Sequence, residues 1–335
     1  MKVLVTGGAG FVGSTICSAL LDNGHTPIIL DSLISGRGAF VQDKLFYKGD
    51  VSDVALLERI FTAHTDIGIA IHCAERAAVE QSVLDPYHYY ADNVGKTLLL
   101  FKTLYDLGCK KFIFCSSAGL YDDVAGHMVT ENSPIRPRSP FTRSKYISEM
   151  ILKDFCNAYD MRCITMRYFN PVGADPQMRS GLQPKNPVNI VGRLMRVLLG
   201  DEKAFIIAGQ DWDTRDGSCI RDYIHVWDVA MAHVKAVEQF DNAFDKAELQ
   251  SKNYLTLNIG SGVGTTVLEF IYAFENIVGE KINIIVSDVH RPGDIAGSYA
   301  NISRAKALLG WEAAISIEEA IMDAVRWEEL QSDVL

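Results

Sequence analysis

The sequence predicts an α/β protein built on a doubly wound parallel sheet, with a smaller second region towards its C-terminal end. Three observations carry this. Short β-branched or apolar runs alternate with longer stretches of helical periodicity through the first half, the pattern of a parallel sheet covered by helices on both faces. A glycine-rich turn, Gly7 to Gly13, joins the first run to the first helical stretch, where a tight backbone needs residues without a Cβ. From about Asn170 the texture changes to a segment holding Pro171, Pro176, Pro184 and Pro187, which reads as a long functional loop leading into another region.

In order along the chain, strands are expected at residues 3–6, 26–31, 46–47, 67–73, 111–116 and 163–167, and helices at 11–23, 51–62, 92–107 and 144–159. Past the proline-rich segment, 188–199 is helical and 226–238 is a helix that returns to the first region. Residues 257–330 supply short strands and two helices. The division this suggests is 1–170, with 222–255 returning to it, against 171–221 plus 256–335.

A chain of 335 residues exceeds one typical core. Its 48% apolar and 22% charged residues are those of a soluble globular protein, and its formal charge of −10 argues against broad binding to nucleic acid or anionic membrane. Seven dispersed cysteines, without C-x-x-C or a Cys/His cluster of metal spacing, read as reduced thiols in a cytoplasmic protein with no metal site. The N-terminus runs straight into the glycine turn without a signal-peptide core, and no apolar run would span a bilayer.

Gly7, Gly10 and Gly13 have G-x-x-G-x-x-G spacing between a strand and a helix. There a backbone can approach a pyrophosphate, and the helix start at Phe11 and Val12 offers amide donors and a positive dipole end. Asp31, closing the second strand, would accept from ribose hydroxyls and repel a 2′-phosphate, which selects NAD over NADP. Asp50-Val51, after the third strand, reads equally as an adenine contact and as a helix cap. Ser117 ends a strand, and 24 residues on comes Phe141, one helical turn before Lys145. An ordinary helix with a buried Phe gives the same F-x-x-x-K spacing, and a serine pair at a strand end is common in turns. Tyr121 and Tyr146 are not spaced to share a face with Lys145.

With these strings the chain resembles the extended short-chain dehydrogenase/reductases, and among them the UDP-glucose 4-epimerases. The likeness runs through nearly the whole length: Thr6 to Gly13, the Ser117/Phe141/Lys145 set, Arg167-Tyr168-Phe169-Asn170-Pro171-Val172-Gly173-Ala174, Arg221-Asp222-Tyr223-Ile224-His225-Val226 and Arg291-Pro292-Gly293-Asp294. It implies a Rossmann-type NAD domain and a UDP-sugar-binding domain, a homodimer, and C4 epimerisation of UDP-hexoses through a transient 4-keto sugar with NAD held throughout. Cys73, Ala74, Asn93, Lys145 and Tyr168 would line the cofactor. Ser117, Asn170, Asn186, Arg221, Arg291 and Asp294 would hold the sugar nucleotide, and Ser298, being small, would leave room for an N-acetyl group. In the family a Tyr stands where this chain has Phe141. That Tyr moves the proton and the Lys lowers its pKa, so this chain should be impaired, most simply as an introduced change that traps substrate. A family lysine is also missing at Ala77, with Arg76 adjacent to replace its charge. Epimerases of UDP-uronates or UDP-pentoses are the nearest alternatives, and a non-catalytic sugar-nucleotide binder is another. A 4,6-dehydratase would need an Asp-Glu pair where Ala118-Gly119 stand.

Overall fold

Seven parallel strands form the central sheet in the computed structural model, which describes residues 1–182, 189–247, 253–290 and 294–332. They are β1 (Lys2–Thr6), β2 (Thr26–Asp31), β3 (Leu45–Lys48), β4 (Ile67–His72), β5 (Lys111–Ser117), β6 (Arg162–Tyr168) and β7 (Tyr254–Ile259). In space they run β7-β6-β5-β4-β1-β2-β3. The order reverses between β1 and β4, and the crevice outside the carboxyl ends of those two strands is where such sheets bind ligands.

Strand periodicity of two sorts the core into layers. Val3 and Val5 join Ile29, Ile71 and Ile113 under α1 (Phe11–Asp22) and α5 (Val226–Glu238). Leu4, Ile28, Phe112 and Phe114 face the other side. There they meet Leu57 of α2 (Val54–Ala63), Leu100 of α3 (Thr97–Asp106) and Leu152 of α4 (Pro140–Ala158). Burial on both faces explains why these strands read as continuous apolar runs.

Several boundaries differ from the sequence reading. α4 starts at Pro140, one turn before residue 144, because Ser139 and Thr142 cap each other's amides and Pro140 takes the first position, where a missing N–H leaves nothing unsatisfied. The helix expected over 92–107 opens with a wider π turn, Ala91–Lys96, before α3. β7 carries the return to the sheet past residue 255 to Ile259. The tail holds three described helices, not two. The extra one, Ser303–Leu309, is too short for its period to stand out, yet Ala305, Leu308 and Leu309 pack into the α1/α5 layer.

A separate core gathers Val191, Leu194, Phe205, Phe270, Phe274 and Ile321 from the C-terminal half. Short strand pairs tie it to the sheet: Asn170–Val172 runs parallel to Tyr223–His225, just past the end of β6. No described helix is long and apolar enough to cross a membrane.

Candidate active site

The glycine turn is built on contacts that leave no room for a side chain. Gly7 has φ 73°, and a Cβ on it would lie 2.5 Å from Ala74 N; one on Gly13 would lie 2.2 Å from Gly7 O. Gly10 stands at the N-cap of α1 and brings no side chain to it. The amides at Phe11 and Val12 therefore remain as donors at a positive dipole end. Asp31 is pinned beside the turn, its Oδ2 accepting from Ala9 N at 3.0 Å and its Oδ1 from Leu33 N at 2.8 Å. Each oxygen keeps lone-pair capacity for a ribose hydroxyl. This cradle fits a dinucleotide in its chemistry: backbone donors at the start of α1 suit an anion, and the Asp31 carboxylate suits hydroxyl donors.

Asp50 is not a helix cap. That place belongs to Asp53, which accepts from Leu56 N at 3.0 Å. The Asp50 carboxylate instead takes Lys96 Nζ at 2.6 Å and both Ser52 donors, while Val51 packs on the adjoining core. Cys73 and Ala74 leave β4 against the glycine turn, and Cys73 Sγ lies 3.1 Å from Cys115 Sγ on the neighbouring strand. Asn93 is buried and its amide is committed to protein: Oδ1 takes Arg76 N at 2.9 Å, and Nδ2 gives to Arg76 O at 3.0 Å and Ser144 Oγ at 3.2 Å. Tyr168 O–H donates to His233 Nε2 at 2.5 Å, since His233 Nδ1 gives its proton to Val229 O at 2.8 Å. Burial pulls the His233 pKa down to about 4 and pushes that of Tyr168 well up.

Ser117, Phe141 and Lys145 meet where β5 ends against the start of α4. Ser117 Oγ accepts from Gly119 N at 3.1 Å, which leaves its O–H to donate. Phe141 is 7% exposed at the second position of α4. One turn on, Lys145 Nζ donates to Cys115 O at 2.6 Å, lies 4.9 Å from the Phe114 ring centre and pairs with the carboxylate of Glu75. Burial draws the Lys145 pKa down to about 7, with Cys73 and Glu149 pulling the other way. Beneath, a buried Arg167–Glu149 pair joins β6 to α4.

On the substrate side, Asn170, Arg221 and Asp294 line one cavity of about 400 Å³, together with Ala77, Arg193 and Phe205. Arg221 holds Asp294 at 3.2 Å and Ile220 O at 2.8 Å, and Asn170 Nδ2 donates to Asp222 O at 3.1 Å. Ala77 supplies a plain wall where the family lysine was expected. Arg76, beside it, is paired with Asp92 at 2.5 Å. Ser298 is buried, its amide reaching Ile220 O at 3.4 Å, and it is absent from that wall. Asn186 and Arg291 lie outside the described residues.

Two residues escaped the sequence reading. Arg193 lies over the Phe205 ring at 5.1 Å, and nothing local to its helix marks it as facing a cavity. Glu75 stood in the segment after β4, whose approach to the glycine turn was its signal.

Residues 3–259 match the family model described as the NAD dependent epimerase/dehydratase family. A UDP-glucose 4-epimerase of Bacillus subtilis (strain 168) is 36% identical over 338 residues, covering 98% of this chain and 97% of that protein. The solved UDP-glucose 4-epimerase of Stenotrophomonas maltophila, with bound NAD and formylated UDP-arabinopyranose, has a TM-score of 0.92 at 32% identity, covering 100% of both chains. That of Bifidobacterium longum, in complex with NAD+ and UDP, has a TM-score of 0.90 at 35% identity, again covering 100% of both. This likeness of sequence and fold runs from end to end, and the chain belongs to the NAD-dependent epimerase/dehydratase family and, within it, to the UDP-glucose 4-epimerases.

Proposed function

We propose that the chain holds NAD tightly and binds a UDP-hexose beside it, in a site that serves C4 epimerisation of UDP-glucose and UDP-galactose and also of UDP-GlcNAc and UDP-GalNAc. One observation carries this: Asn170, Arg221 and Asp294, drawn from three separate strings, line a single cavity. Arg221 suits a diphosphate through its planar fork of donors, Asp294 suits a ribose hydroxyl, and Asn170 the sugar or its phosphate. Bound NAD would supply a hydride acceptor and donor at C4. Ser117 would donate its O–H to a sugar oxygen, and Lys145 would hold the nicotinamide ribose.

Proton transfer is the weak step. Phe141 fills the volume of a tyrosine without its hydroxyl, and a positioned acid/base group is worth roughly 10²–10⁴-fold in rate. Binding with slow turnover is the expected behaviour, with Ser117 as a poor relay. A sugar-nucleotide binder without turnover is the second reading, and it rests on the same Phe141. The seven free cysteines suit a reducing, cytoplasmic setting. Exposed Leu98 and Leu99 on α3 and Met150 on α4 suit a two-fold dimer face.

The test is calorimetric titration of the NAD-loaded chain with UDP-glucose, alongside epimerisation rates measured against the Bacillus subtilis relative. Binding with slow turnover is expected. No binding of UDP or UDP-glucose would sink the site assignment, and a rate equal to the relative's would remove position 141 from the chemistry.

A further inference from the structure

We propose that the end of the C-terminal helix is a working part of the cofactor site: Gln331 and Trp327 hold in place the segment that walls the adenosine ribose, and this grip sets how fast NAD is released. The inference rests on reading the glycine turn and Asp31 as the cradle of the dinucleotide.

The segment after β2, residues 32–41, folds back over that cradle. Leu33 N donates to Asp31 Oδ1 at 2.8 Å, and Arg37 N donates to Ala9 O at 2.9 Å. Gly36 lies so close that a Cβ on it would stand 2.9 Å from Asp31 Oδ1 and 2.7 Å from Ala9 Cβ. Leu33 has φ 61°, a left-handed backbone that a leucine keeps only where its surroundings hold it. The wall beside the Asp31 carboxylate is therefore a segment that needs support from outside itself.

That support comes from far along the chain. α6 (Ile317–Ser332) packs into the separate C-terminal core through Ala320, Ile321 and Ala324. Its last turns reach the cofactor side. Arg37 Nη1 donates to Gln331 Oε1 at 2.5 Å, across 294 positions. The buried rings of Phe40 and Trp327 lie 5.8 Å apart, and the Arg37 guanidinium is 5.8 Å from the same Phe40 ring centre. Trp327 is itself anchored, with Nε1 donating to Leu182 O at 2.6 Å and its indole against Gly181. Burial raises the pKa of Glu328 on the same helix, and the charge of Arg37 pulls it the other way.

Gln331 and Trp327 act through the segment they hold, so they are positioning residues. Without the Gln331 acceptor, residues 32–41 would leave the binding arrangement for part of the time, and apparent affinity falls with the fraction of chains that keep it. A hydrogen bond from a charged donor shifts such an equilibrium about tenfold when well buried, and less when half-buried as here.

The experiment uses the full chain loaded with NAD, and follows exchange of bound NAD for labelled NAD in solution. Gln331→Leu should speed release roughly 3–10-fold. Gln331→Glu keeps an acceptor for Arg37 and should release no faster than the parent. In an Arg37→Leu background, Gln331→Leu should add nothing, because the partner is already gone. UDP affinity by calorimetry and the melting temperature should stay at parent values throughout. Parent-like release from Gln331→Leu would overturn the proposal. So would a speed-up that is equal with and without Arg37, or one matched by falling UDP affinity and melting temperature, since each describes a helix that merely stabilises the fold. Asp31→Ala, in the same assay, checks the reading beneath it and should release NAD faster. Unchanged release there would reject the ribose assignment and this proposal with it, whereas fast release there beside a parent-like Gln331→Leu would reject the proposal alone.

Discussion

Replacing Glu149 with leucine should strand a buried guanidinium. Arg167 gives Nε to Glu149 Oε1 at 3.0 Å and Nη2 to Oε2 at 2.7 Å, and both side chains are only 5% exposed. Ser116 Oγ donates to the same carboxylate at 2.5 Å. Once it is gone, Arg167 keeps Tyr121 OH at 3.0 Å and a distant Glu131 carbonyl, neither of which neutralises a cation. Leaving one member of a buried pair alone costs about 3–5 kcal/mol, and the orphaned serine adds about 1 kcal/mol. Against a total stability of about 5–15 kcal/mol this is severe. The companion variant Glu149→Leu/Arg167→Met removes both charges and should recover at least about 2 kcal/mol, because hydrophobic replacement of a whole buried pair is often close to neutral. Urea unfolding followed by circular dichroism, at one fixed NAD concentration so that ligand linkage is constant, measures both. A single variant within about 1 kcal/mol of the parent, or a double variant no better than the single, would refute this account of the pair.

Three further outcomes are expected. Gly13→Ala puts a Cβ 2.2 Å from Gly7 O with only backbone around it; the strain of about 1–3 kcal/mol should cut NAD affinity by roughly 10-fold or more, and unchanged NAD retention on dialysis would contradict it. Burial lowers the His72 pKa to about 3 and that of His233 to about 4. As pH falls below about 6.5 the unfolded chain takes up these protons first, so stability should decline towards about pH 4 by about 1.4 kcal/mol per pH unit for each histidine. His72→Gln should remove one histidine's share of that slope in pH-dependent urea melts, and an unaltered slope would count against it. Leu98 and Leu99 are 41% and 43% exposed on α3; Leu99→Glu should convert a dimer to single chains by light scattering, and a parent already of one-chain mass at micromolar concentration would end the dimer reading.

What the sequence makes legible is what local chemistry fixes. The glycine turn follows from strict offsets between a strand and a helix, and α5 occupies the residues its periodicity marks. The start of α4 is set by Ser139, Pro140 and Thr142, a capping signal without apolar period, so periodicity alone begins that helix a turn late. The Arg221–Asp294 contact spans 73 positions, and the resemblance marks both residues without pairing them with each other. Glu75 and Arg193 take their meaning from what other segments bring beside them. Arg76, next to a missing lysine, takes a partner 16 positions away, Asp92, which its own string does not mark.

The reciprocal cap at the start of α4 has an evolutionary consequence. Because Ser139 and Thr142 lock the first turn, residue 141 can change without shifting Lys145, and the ring of Phe141 already fills the space a phenol needs. Codons for Phe and Tyr differ at the second base. A lineage carrying this fold can therefore exchange Phe and Tyr at position 141 through a single point mutation, with the start of the helix and the place of Lys145 unchanged.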